Sequence, residues 1–493
     1  MVSSVPEALL RHAAAHPEKL CIADAAGETD YGTMASLSRR LSVYFASQGI
    51  GPGEHVVVEC MQRAAFLEIE FGIQLCGGIF VPLEARCSFG KMARIAAHCG
   101  AKLLICAKAP QEEEAFSCSC PVLTYAQVLE AVQAVEDPSD APLPPDPDAV
   151  CEILFSTGTT GKEKGVVLTH RNNVAVAENV ACGNDLKEDN VELVPSPLNH
   201  SHGLRSAYAN LLAGASLVFV DNVFDMKRFY AAIDRYHVTS MDLVPAALTM
   251  ILNLSREKLG EYREQLRYIE FGSAPLRTAD KERLKALLPQ TAMNNFYGST
   301  ESGRSTVYNF NVPDEKHGCI GHPTKNARIF IVDADRRPIA SDRAHTGLLA
   351  SGGAMNMVGY FRDEEETASA MADGILYTKD EAYFDEDGEI MLLGRADDVI
   401  NVGGRKVSPE EIENIVRQMP QVADCACIGI EDGLTGKAPK VFVEMKEGEA
   451  FDAKAVKDHI RAQTEAYKVP KVVEQIEKIP RTYNGKLLRR LLR

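Results

Sequence analysis

Long uncharged apolar runs are missing from this 493-residue sequence. A helix that crosses a membrane needs roughly 18 or more consecutive apolar residues, and the candidate stretch, Ala64–Leu83, is interrupted by Glu68 and Glu70. We therefore expect no membrane-spanning helix. The first residues also lack the basic, apolar and small-residue succession of a secretory signal, so we expect a cytoplasmic protein.

A surplus of positive charge is missing as well. The 53 lysines and arginines stand against 69 aspartates and glutamates, which gives a formal net charge of −16. Nucleic acids and anionic membranes are bound by basic surfaces, so neither is an expected partner. The close cysteine pairs, Cys118 with Cys120 and Cys425 with Cys427, have no second pair or histidine at zinc-site spacing.

The sequence does contain a loop rich in glycine and hydroxyl groups, which reads STGTTGKEKGVVLTH from Ser156 to His170. Its two glycines, Gly158 and Gly161, allow successive backbone N–H groups to close on an anionic oxygen. Hydroxyl donors and positive charges surround them: Ser156, Thr157, Thr159, Thr160, Lys162 and Lys164. The segment predicts a phosphate-binding loop.

This loop does not fit the Walker P-loop, which needs Gly, four residues, Gly, Lys and then Ser or Thr. Ser156 stands where the first glycine should be, and Glu163 replaces the magnesium-binding hydroxyl. A flexible linker is the alternative interpretation of Ser, Thr and Gly. A linker has no reason to run directly into the strand-like residues Val166–Leu168, so we favour the phosphate loop.

Alternating helical and strand-like patterns occupy the first 130 residues, with a predicted helix at Ala64–Leu75, and return between about residues 191 and 288, with a predicted helix at Met226–Tyr236. This alternation is typical of crossover units on parallel sheets. The pattern becomes β-rich from 320 to 393 and changes again after Gly394. We predict an α/β fold: a large N-terminal domain of mixed, mainly parallel sheets plus a β-rich subdomain (1–395), and a small α+β C-terminal domain (396–493).

Three further segments carry side chains suited to a nucleotide. Asn295–Glu301 places an aromatic ring, hydroxyls and a carboxylate in one turn, which suits a base, phosphate and Mg²⁺. Asp380 could accept hydrogen bonds from a ribose, although aspartate is also a turn former. Gly394–Asp398 and Asn401–Gly404 offer a cation, two carboxylates and a glycine pair, or else form an exposed hinge.

Two more residues have competing interpretations. Lys486 follows an Asn-Gly turn in a basic tail, where it is either a functional lysine or part of a solvated cationic end. His200, within Pro197–Gly203, either lines an acid pocket or stabilises a turn. The sequence offers His200 no partner for a role as catalytic base.

Taken together, these segments resemble the adenylate-forming superfamily of acyl-CoA synthetases, luciferases and peptide-synthetase adenylation domains, over nearly the whole chain. STGTTGKEKG is similar to its phosphate loop, NNFYGSTE to its adenine and magnesium segment, and Asp373–Phe384 to its ribose segment. GRADDVINVGGRKVSPEEIE is similar to its interdomain hinge motif, and PRTYNGKLLRR to the motif with its catalytic lysine. The order of the five motifs makes coincidence negligible.

The resemblance, which is closest to the AMP-forming acyl-CoA ligases, implies a reaction that uses ATP, Mg²⁺ and coenzyme A. A carboxylate attacks the α-phosphate of ATP to give an acyl-adenylate and pyrophosphate, and a thiol then displaces AMP.

The resemblance also implies a role for each matching residue. It implies phosphate binding by Ser156, Thr157, Gly158, Thr159, Thr160, Lys164 and Thr300, nucleotide contacts by Tyr297, Gly298, Ser299, Asp380 and Arg395, a metal ligand in Glu301, and catalysis by Lys486, Thr300 and Glu301. It implies an acyl pocket at His200, Gly272, Ser273 and Ala274, a coenzyme A tunnel at Gly403 and Gly404, and a hinge at Asp397 about which the small domain rotates.

The sequence departs from the family pattern at Lys379, and it leaves several functional questions open. Lys379 stands where the family has glycine before Asp380, which puts the ribose geometry in question. The final acceptor is coenzyme A or the phosphopantetheine of an acyl carrier protein, and the hinge sequence favours coenzyme A. A non-catalytic adenylate-binding protein is the third alternative, opposed by the presence of Glu301 and Lys486. The sequence leaves open the identity of the carboxylic acid and the oligomeric state.

Overall fold

The computed structural model describes residues 2–111, 118–138, 146–157, 163–481 and 487–492, and all structural statements below concern these residues. For Ser156 and Thr157 it describes the backbone alone.

One sheet leads into the predicted phosphate loop. Its strands, in spatial order, are β18 (Gly359–Tyr360), β8 (Glu163–Thr169), β7 (Val150–Thr157), β4 (Ile79–Leu83), β3 (His55–Glu59), β5 (Leu103–Cys106) and β6 (Val122–Thr124). From β7 to β6 neighbouring strands are parallel, whereas β8 folds back antiparallel on β7 and pairs on its other side with β18. The predicted loop therefore joins two strands that are hydrogen-bonded to each other.

A second sheet is parallel at one end and antiparallel at the other. Its parallel part, after the edge strand β2 (Gly27–Asp30), is β1 (Leu20–Asp24), β10 (Ser216–Phe219), β9 (Val191–Val194), β11 (Ser240–Leu243), β12 (Tyr268–Phe271) and β13 (Ala292–Tyr297). Its antiparallel part is β14 (Thr306–Asn309), β15 (Cys319–Pro323), β21 (Ile390–Arg395), β20 (Ile375–Phe384) with β19 (Met371–Ala372), β17 (Gly347–Gly353) and β16 (Ala327–Val332). Strands β16, β17, β19 and β20 of the antiparallel part lie within 320–393, the stretch for which the sequence predicted a β-rich pattern, whereas β14 precedes that stretch and β15 and β21 extend past its ends.

Helices accompany both sheets. They are α1 (Val5–Ala15), α2 (Tyr31–Ser47), α3 (Ala64–Leu75), α4 (Phe89–Cys99), α5 (Tyr125–Val132), α6 (His170–Gly183), α7 (Ser201–Ala213), α8 (Met226–Tyr236), α9 (Pro245–Ser255), α10 (Thr278–Leu287) and α11 (Glu364–Ala370), with a 3-10 turn at Lys258–Tyr262. Side-chain caps fix several starts: Asp30 accepts from the backbone of α2, and Thr169 forms a capping box on α6.

Helix α7 lies between the two sheets. Every residue from His202 to Leu211 is buried, and its side chains reach both ways. Arg205 binds Glu152 on β7 of the first sheet, while Asn210 donates to Glu192 on β9 of the second. Because a helix buried on all sides contacts protein everywhere, its polar residues need partners on both sheets.

A smaller sheet closes the chain. It contains β23 (Arg405–Val407), β22 (Ile400–Val402), β25 (Gly436–Met445) and β24 (Val422–Asp432), with β26 (Val472–Gln475) beside β25. Its helices are α12 (Pro409–Val416) and α13 (Ala453–Arg461), and 3-10 turns lie at Ala466–Lys468 and Arg489–Leu491. Residues from Ile400 to Val473 form a hydrophobic core of their own.

The predicted fold class is confirmed: a large N-terminal part built on mixed sheets and a small α+β part at the C-terminal end. The helices at Ala64–Leu75 and Met226–Tyr236 have the predicted bounds. The division at 395/396 stays a prediction. Among the described ranges, no helix has the length and apolar character to cross a bilayer.

Candidate functional site

The β7–β8 hairpin presents the predicted phosphate loop. Ser156 pairs with Lys164 and Thr157 with Glu163 in the antiparallel register, so the two strands hold the ends of the loop together. Gly158, Thr159 and Thr160, and the side chains of Ser156 and Thr157, lie outside the described residues. Their roles stay predictions.

Lys164, at the start of β8, has two partners in this structure. Its Nζ donates to the Glu366 carboxylate on α11 and lies 5.2 Å from the centroid of the Tyr360 ring. The Lys164 side chain is 17% exposed and that of Glu366 38%. An ion pair this close to solvent is weak, so an anionic ligand can compete with Glu366 for the lysine.

Glu301, the predicted metal ligand, lies beside the same tyrosine. The Tyr360 hydroxyl donates to Glu301 Oε1 at 2.9 Å. Burial, followed by the charge of Glu301, raises the pKa of Tyr360, so the phenol keeps its proton. A carboxylate can accept about four hydrogen bonds or metal contacts, and Tyr360 uses one of them. The remaining positions suit a hard divalent cation.

The turn that carries Glu301 is tightly built. A Cβ at Gly298 would lie 1.8 Å from the Gly303 carbonyl oxygen, so only glycine fits there. The Ser299 hydroxyl accepts from the backbone N–H groups of Glu301 and Ser302, both at 3.2 Å. Thr300 lies within this turn. Its predicted contact with the α-phosphate stays a prediction.

A second cluster of interacting side chains consists of Tyr297, Asp380 and Arg395. The Tyr297 hydroxyl donates to Asp380 Oδ2 at 2.5 Å, and Arg395 Nη1 lies 3.7 Å from Asp380 Oδ1. Burial and the adjacent Asp380 charge raise the pKa of Tyr297 well above its ordinary value. Asp380 pairs with Arg395 in the β20–β21 register, and Tyr297, which lies 83 positions before Asp380 in the sequence, reaches the same carboxylate from β13.

Lys379 does not disrupt this group. Lys379 is exposed to solvent, and its backbone carbonyl accepts a hydrogen bond from Ala396 N at 2.8 Å. Successive side chains of a strand point to opposite faces, so Lys379 and Asp380 of β20 diverge. The Asp380 carboxylate stays oriented toward Tyr297 and Arg395.

The predicted acyl segment follows β12. Gly272 is buried, and a Cβ there would lie 2.9 Å from both His202 Cε1 and Arg304 Nη1. Ser273 has a left-handed backbone conformation with φ of 72°, which is uncommon outside glycine. His200 is the N-cap residue that precedes α7. Desolvation by the surrounding protein lowers the pKa of its imidazole, which favours the neutral ring.

The residues behind Gly272 were not all found from the sequence. His202 contacts the Asp242 carboxylate, and Arg304 Nη2 donates to Glu270 Oε1 at 3.1 Å and to the His202 carbonyl at 3.0 Å. Burial raises the pKa of Glu270 while Arg304 opposes that shift. Potential ligand atoms of His202, Asp242 and Glu270 lie within 4.8 Å of one another, but the guanidinium on Glu270 repels a dication.

The small sheet carries the remaining predicted residues. Gly403 and Gly404 form the tip between β22 and β23 with φ of 58° and 88°, and Gly403 N donates to Thr435 O at 2.9 Å. Asp397 lies in the connection from β21 to β22. Lys486 lies outside the described residues.

Sequence patterns held weak signals for the residues that were missed. Each of the strands β9, β11 and β12 carries one carboxylate within an apolar run: Glu192, Asp242 and Glu270. A charge at the centre of a buried strand indicates a partner elsewhere in the fold. For Tyr360 and Glu366, the sequence gives no comparable signal, because their partners, Glu301 in a turn and Lys164 on β8, are far away in the chain.

Comparison with known proteins gives a consistent result. A family model described as AMP-binding enzyme matches residues 9–361, and one described as AMP-binding enzyme C-terminal domain matches residues 411–486. The feruloyl-CoA synthase of an Amycolatopsis species is 30% identical over 462 residues, which cover 93% of this chain and 92% of that protein. The fatty acid–[acyl-carrier-protein] ligase ScoC of Streptomyces coeruleorubidus is 28% identical over 473 residues, with 92% and 89% covered. The crystal structure of ATP-bound MatB from Rhodopseudomonas palustris shares the fold, with a TM-score of 0.87 at 24% identity and coverage of 100% and 98%.

Proposed function

The chain belongs to the AMP-binding enzyme family, and on that premise we propose that it is an AMP-forming acid–CoA ligase. In the first half-reaction, an oxygen of the substrate carboxylate attacks the α-phosphorus of ATP. The bond to the pyrophosphate leaving group breaks, and an acyl-adenylate forms. In the second, the coenzyme A thiol attacks the acyl carbon and AMP leaves. Such an in-line displacement is catalysed by holding the reacting atoms in line and by neutralising the phosphate charge with lysines and Mg²⁺.

The observation that carries this proposal is the pair of side-chain groups at the two ends of the segment Tyr297–Glu301. Tyr297, Asp380 and Arg395 offer an aromatic ring, acceptors for ribose hydroxyls and a cation. Glu301 and Lys164, linked through Tyr360, offer a metal ligand and a phosphate partner. A bound Mg²⁺ would neutralise phosphate charge and orient the leaving pyrophosphate.

The protein's own side chains would have defined tasks. Lys164 would leave Glu366 for the β- and γ-phosphates, and Tyr360 would hold Glu301 in place toward the metal. Further nucleotide contacts would come from Ser156, Thr157, Gly158, Thr159, Thr160, Gly298, Ser299 and Thr300. His200, Gly272, Ser273 and Ala274 would border the acid.

We also propose that the small domain, residues 396–493, moves relative to residues 1–395 between the half-reactions. Asp397 is the proposed hinge. Rotation there would withdraw Lys486 from the reacting carboxylate and bring Gly403 and Gly404 to the thiol tunnel. Lys406 of the small sheet contacts Glu381 beside Asp380, with Nζ 3.2 Å from Oε1. Such a partly exposed pair is easily broken.

The test is product analysis with a panel of carboxylic acids, ATP and Mg²⁺. We expect acid-dependent release of pyrophosphate, accumulation of AMP but not ADP, and an acyl-CoA thioester when coenzyme A is present. If no acid supports exchange of labelled pyrophosphate into ATP, the protein is a non-catalytic adenylate binder and the proposal is wrong.

A carrier protein is the second candidate for the acceptor, because one relative is named as an acyl-carrier-protein ligase. Parallel reactions with free coenzyme A and with a purified acyl carrier protein decide between them. Turnover with the carrier protein alone would overturn the choice of coenzyme A.

Lys486 can be tested by separating the half-reactions. We expect Lys486→Ala to abolish adenylation, because the bridging cation is lost, yet to leave thioester formation from supplied acyl-AMP intact. Equal loss of both steps would contradict the proposed role.

A further inference from the structure

The predicted phosphate loop contains one negative charge. Glu163 is the only acidic residue between Ser156 and Lys164. It begins β8 and immediately precedes Lys164, whose proposed partners are the β- and γ-phosphates of ATP. A carboxylate in that position repels a triphosphate unless its own charge is compensated. The contacts of Glu163 therefore bear on how the loop can bind ATP.

Two cations of helix α4 bind both oxygens of this carboxylate. Lys91 Nζ lies 2.8 Å from Glu163 Oε1, and Arg94 Nη2 donates to Glu163 Oε2 at 3.3 Å. Lys91 also donates to Oε1 of Glu84 at 2.8 Å, and Glu84 directly follows β4 of the same sheet. Burial lowers the pKa of Lys91, but the hydrogen bonds to the two carboxylates outweigh burial and raise that pKa. The lysine therefore stays charged.

Solvent exposure distinguishes the two cations. The side chains of Lys91 and Glu163 are 22% and 21% exposed, whereas that of Arg94 is 64% exposed. Water and salt screen an exposed charge more strongly than a partly buried one. Lys91 therefore contributes most of the compensation of the Glu163 charge, and Arg94 adds a weaker contact on the solvent side.

Helix α4 is itself packed against the hairpin. The ring of His98 on α4 contacts Phe155 of β7 and Phe361, which follows β18, with ring centroids 6.0 and 5.7 Å apart. Gly165 on β8 leaves room for this packing, because a Cβ there would lie 2.9 Å from Ile153 Cγ2 and 3.1 Å from the side chains of Phe155 and Phe361. The helix thus packs on the strand that enters the loop and forms ion pairs with the strand that leaves it.

The two residues at the end of the loop reach opposite sides of the hairpin. Successive side chains of a strand point to opposite faces, so Glu163 contacts α4 whereas Lys164 contacts Glu366 and Tyr360. Lys164 would exchange Glu366 for phosphate when ATP binds. Glu163, which a phosphate repels, would keep its partners on α4 during that exchange.

We propose that Lys91, assisted by Arg94, is a positioning residue for the phosphate loop. By binding Glu163, it anchors the end of the loop at β8 and compensates the charge that would otherwise repel the β- and γ-phosphates of ATP. The inference rests on the proposed ligase function, in which this loop holds the leaving pyrophosphate. It adds a support on α4, a helix that lies outside the five sequence motifs.

The experiment compares the binding of ATP with that of AMP, which lacks the β- and γ-phosphates. Calorimetric titrations of the full chain with each nucleotide, in Mg²⁺ and without a carboxylic acid, give two Kd values whose ratio is the readout. Lys91→Met keeps much of the aliphatic stem. It should raise the Kd for ATP about fivefold, as expected for the loss of a partly exposed ion pair, and change the Kd for AMP less than about twofold. Lys91→Arg should restore the native ratio.

A double-mutant cycle shows whether Lys91 acts through Glu163. In a Glu163→Gln background the charge that needs compensation is absent, so Lys91→Met should cause no further change in the ratio of the two Kd values. Lys440→Met is the matched control, because the Lys440 side chain is 19% exposed and its Nζ lies 2.8 Å from Glu474 in the small sheet. Its ratio should equal that of the native protein.

The outcomes distinguish the inference from the proposed function. Absence of pyrophosphate release with every acid overturns the ligase function, whereas the two Kd values still test the role of Lys91. An unchanged ratio in Lys91→Met, or an equal rise in both Kd values, overturns the inference alone. A loss of ATP affinity that persists in the Glu163→Gln background would assign Lys91 a direct contact with the triphosphate and also overturn it. Failure of the native protein to bind ATP overturns both.

Discussion

On the phosphate side of the candidate site, charged side chains pair near the surface, whereas on the acid side they pair in the interior. Lys164 and Glu366 keep 17% and 38% of their side-chain surface exposed. Arg304 and Glu270 keep 6% and none. Opening an exposed pair costs little free energy, but separating a buried pair leaves an uncompensated charge in the interior.

This difference separates two tasks of one site. The phosphate side can exchange partners, so the triphosphate of ATP would replace Glu366 at Lys164 without a large energetic cost. The acid side cannot rearrange in that way, so it would act as a fixed template. The phosphate side would accept the shared substrate ATP, and the buried ion pairs behind Gly272 would keep the shape of the acid pocket fixed.

The largest expected effect is on stability and tests the contrast directly. Arg304→Met should lower the free energy of unfolding by about 3–5 kcal/mol, because Glu270 is left buried and unpaired. Lys164→Met, the matched control, should lower it by about 1 kcal/mol or less. Urea denaturation of both variants measures the two losses. Equal losses would remove the distinction between the two sides.

Next in size is the loss of catalysis at Glu301, the predicted metal ligand. Glu301→Gln keeps an acceptor for Tyr360 but removes the charge, so pyrophosphate–ATP exchange should fall about 100-fold or more. Glu366→Gln should change the exchange rate only a fewfold and lower the KM for ATP, because Lys164 is released from its competing partner. A similar fall in both variants would mean that Glu366 also acts on the nucleotide.

Tyr360 offers a smaller effect that separates hydrogen bond from ring. Tyr360→Phe leaves the ring beside Lys164 and removes only the donor to Glu301, a bond to a charged group worth about 1.5–3 kcal/mol. We expect the apparent affinity for Mg²⁺ in ATP binding, measured by calorimetric titration, to fall about tenfold. The KM for the acid, measured by pyrophosphate release, should be unchanged. Tyr236→Phe removes a similar tyrosine–glutamate contact, 3.2 Å to Glu28 on the surface, and is the control. A loss confined to the acid KM would contradict a positioning role.

The sequence was most informative where function depends on contiguous residues. Helix periodicity gave the bounds of α3 and α8, and short motifs named Lys164, Glu301 and Asp380. The antiparallel pairing of β20 with β21 then brings Arg395 to Asp380, two residues that the family resemblance assigned to the ribose. Local patterns suffice to name these residues because each lies within a contiguous motif, whereas strand pairing and loop packing bring the motifs together in space.

The acid side could not be predicted in the same way. Its contacts join single residues from separate strands and one helix, such as Asp242 with His202 and Glu270 with Arg304. Each looks like an isolated charge in an apolar run, and only the stacking of β9, β11 and β12 against α7 brings them together. Tyr360 was missed for the same reason, since Lys164 reaches it through the pairing of β18 with β8 and Glu301 reaches it from a turn elsewhere in the chain.

The smallest effect uses pH to distinguish buried from exposed carboxylates. Burial raises the folded-state pKa of Glu192, so the folded chain holds a proton that the unfolded chain releases above about pH 4.3. The resulting stability is present below that pH and is lost as the pH rises toward the folded pKa. Glu192→Gln removes this loss, so its Tm relative to the native protein should be a few degrees more favourable near pH 8 than near pH 5.

Asp189→Asn should behave in the opposite sense. A hydrogen bond from Arg267 lowers the pKa of Asp189, so that variant is relatively less stable at neutral pH and the difference shrinks in acid. Calorimetric Tm values from about pH 8 down to below the ordinary aspartate pKa, about 3.9, measure both, and a Glu192→Gln shift that is independent of pH would show that the carboxylate is charged in the folded chain.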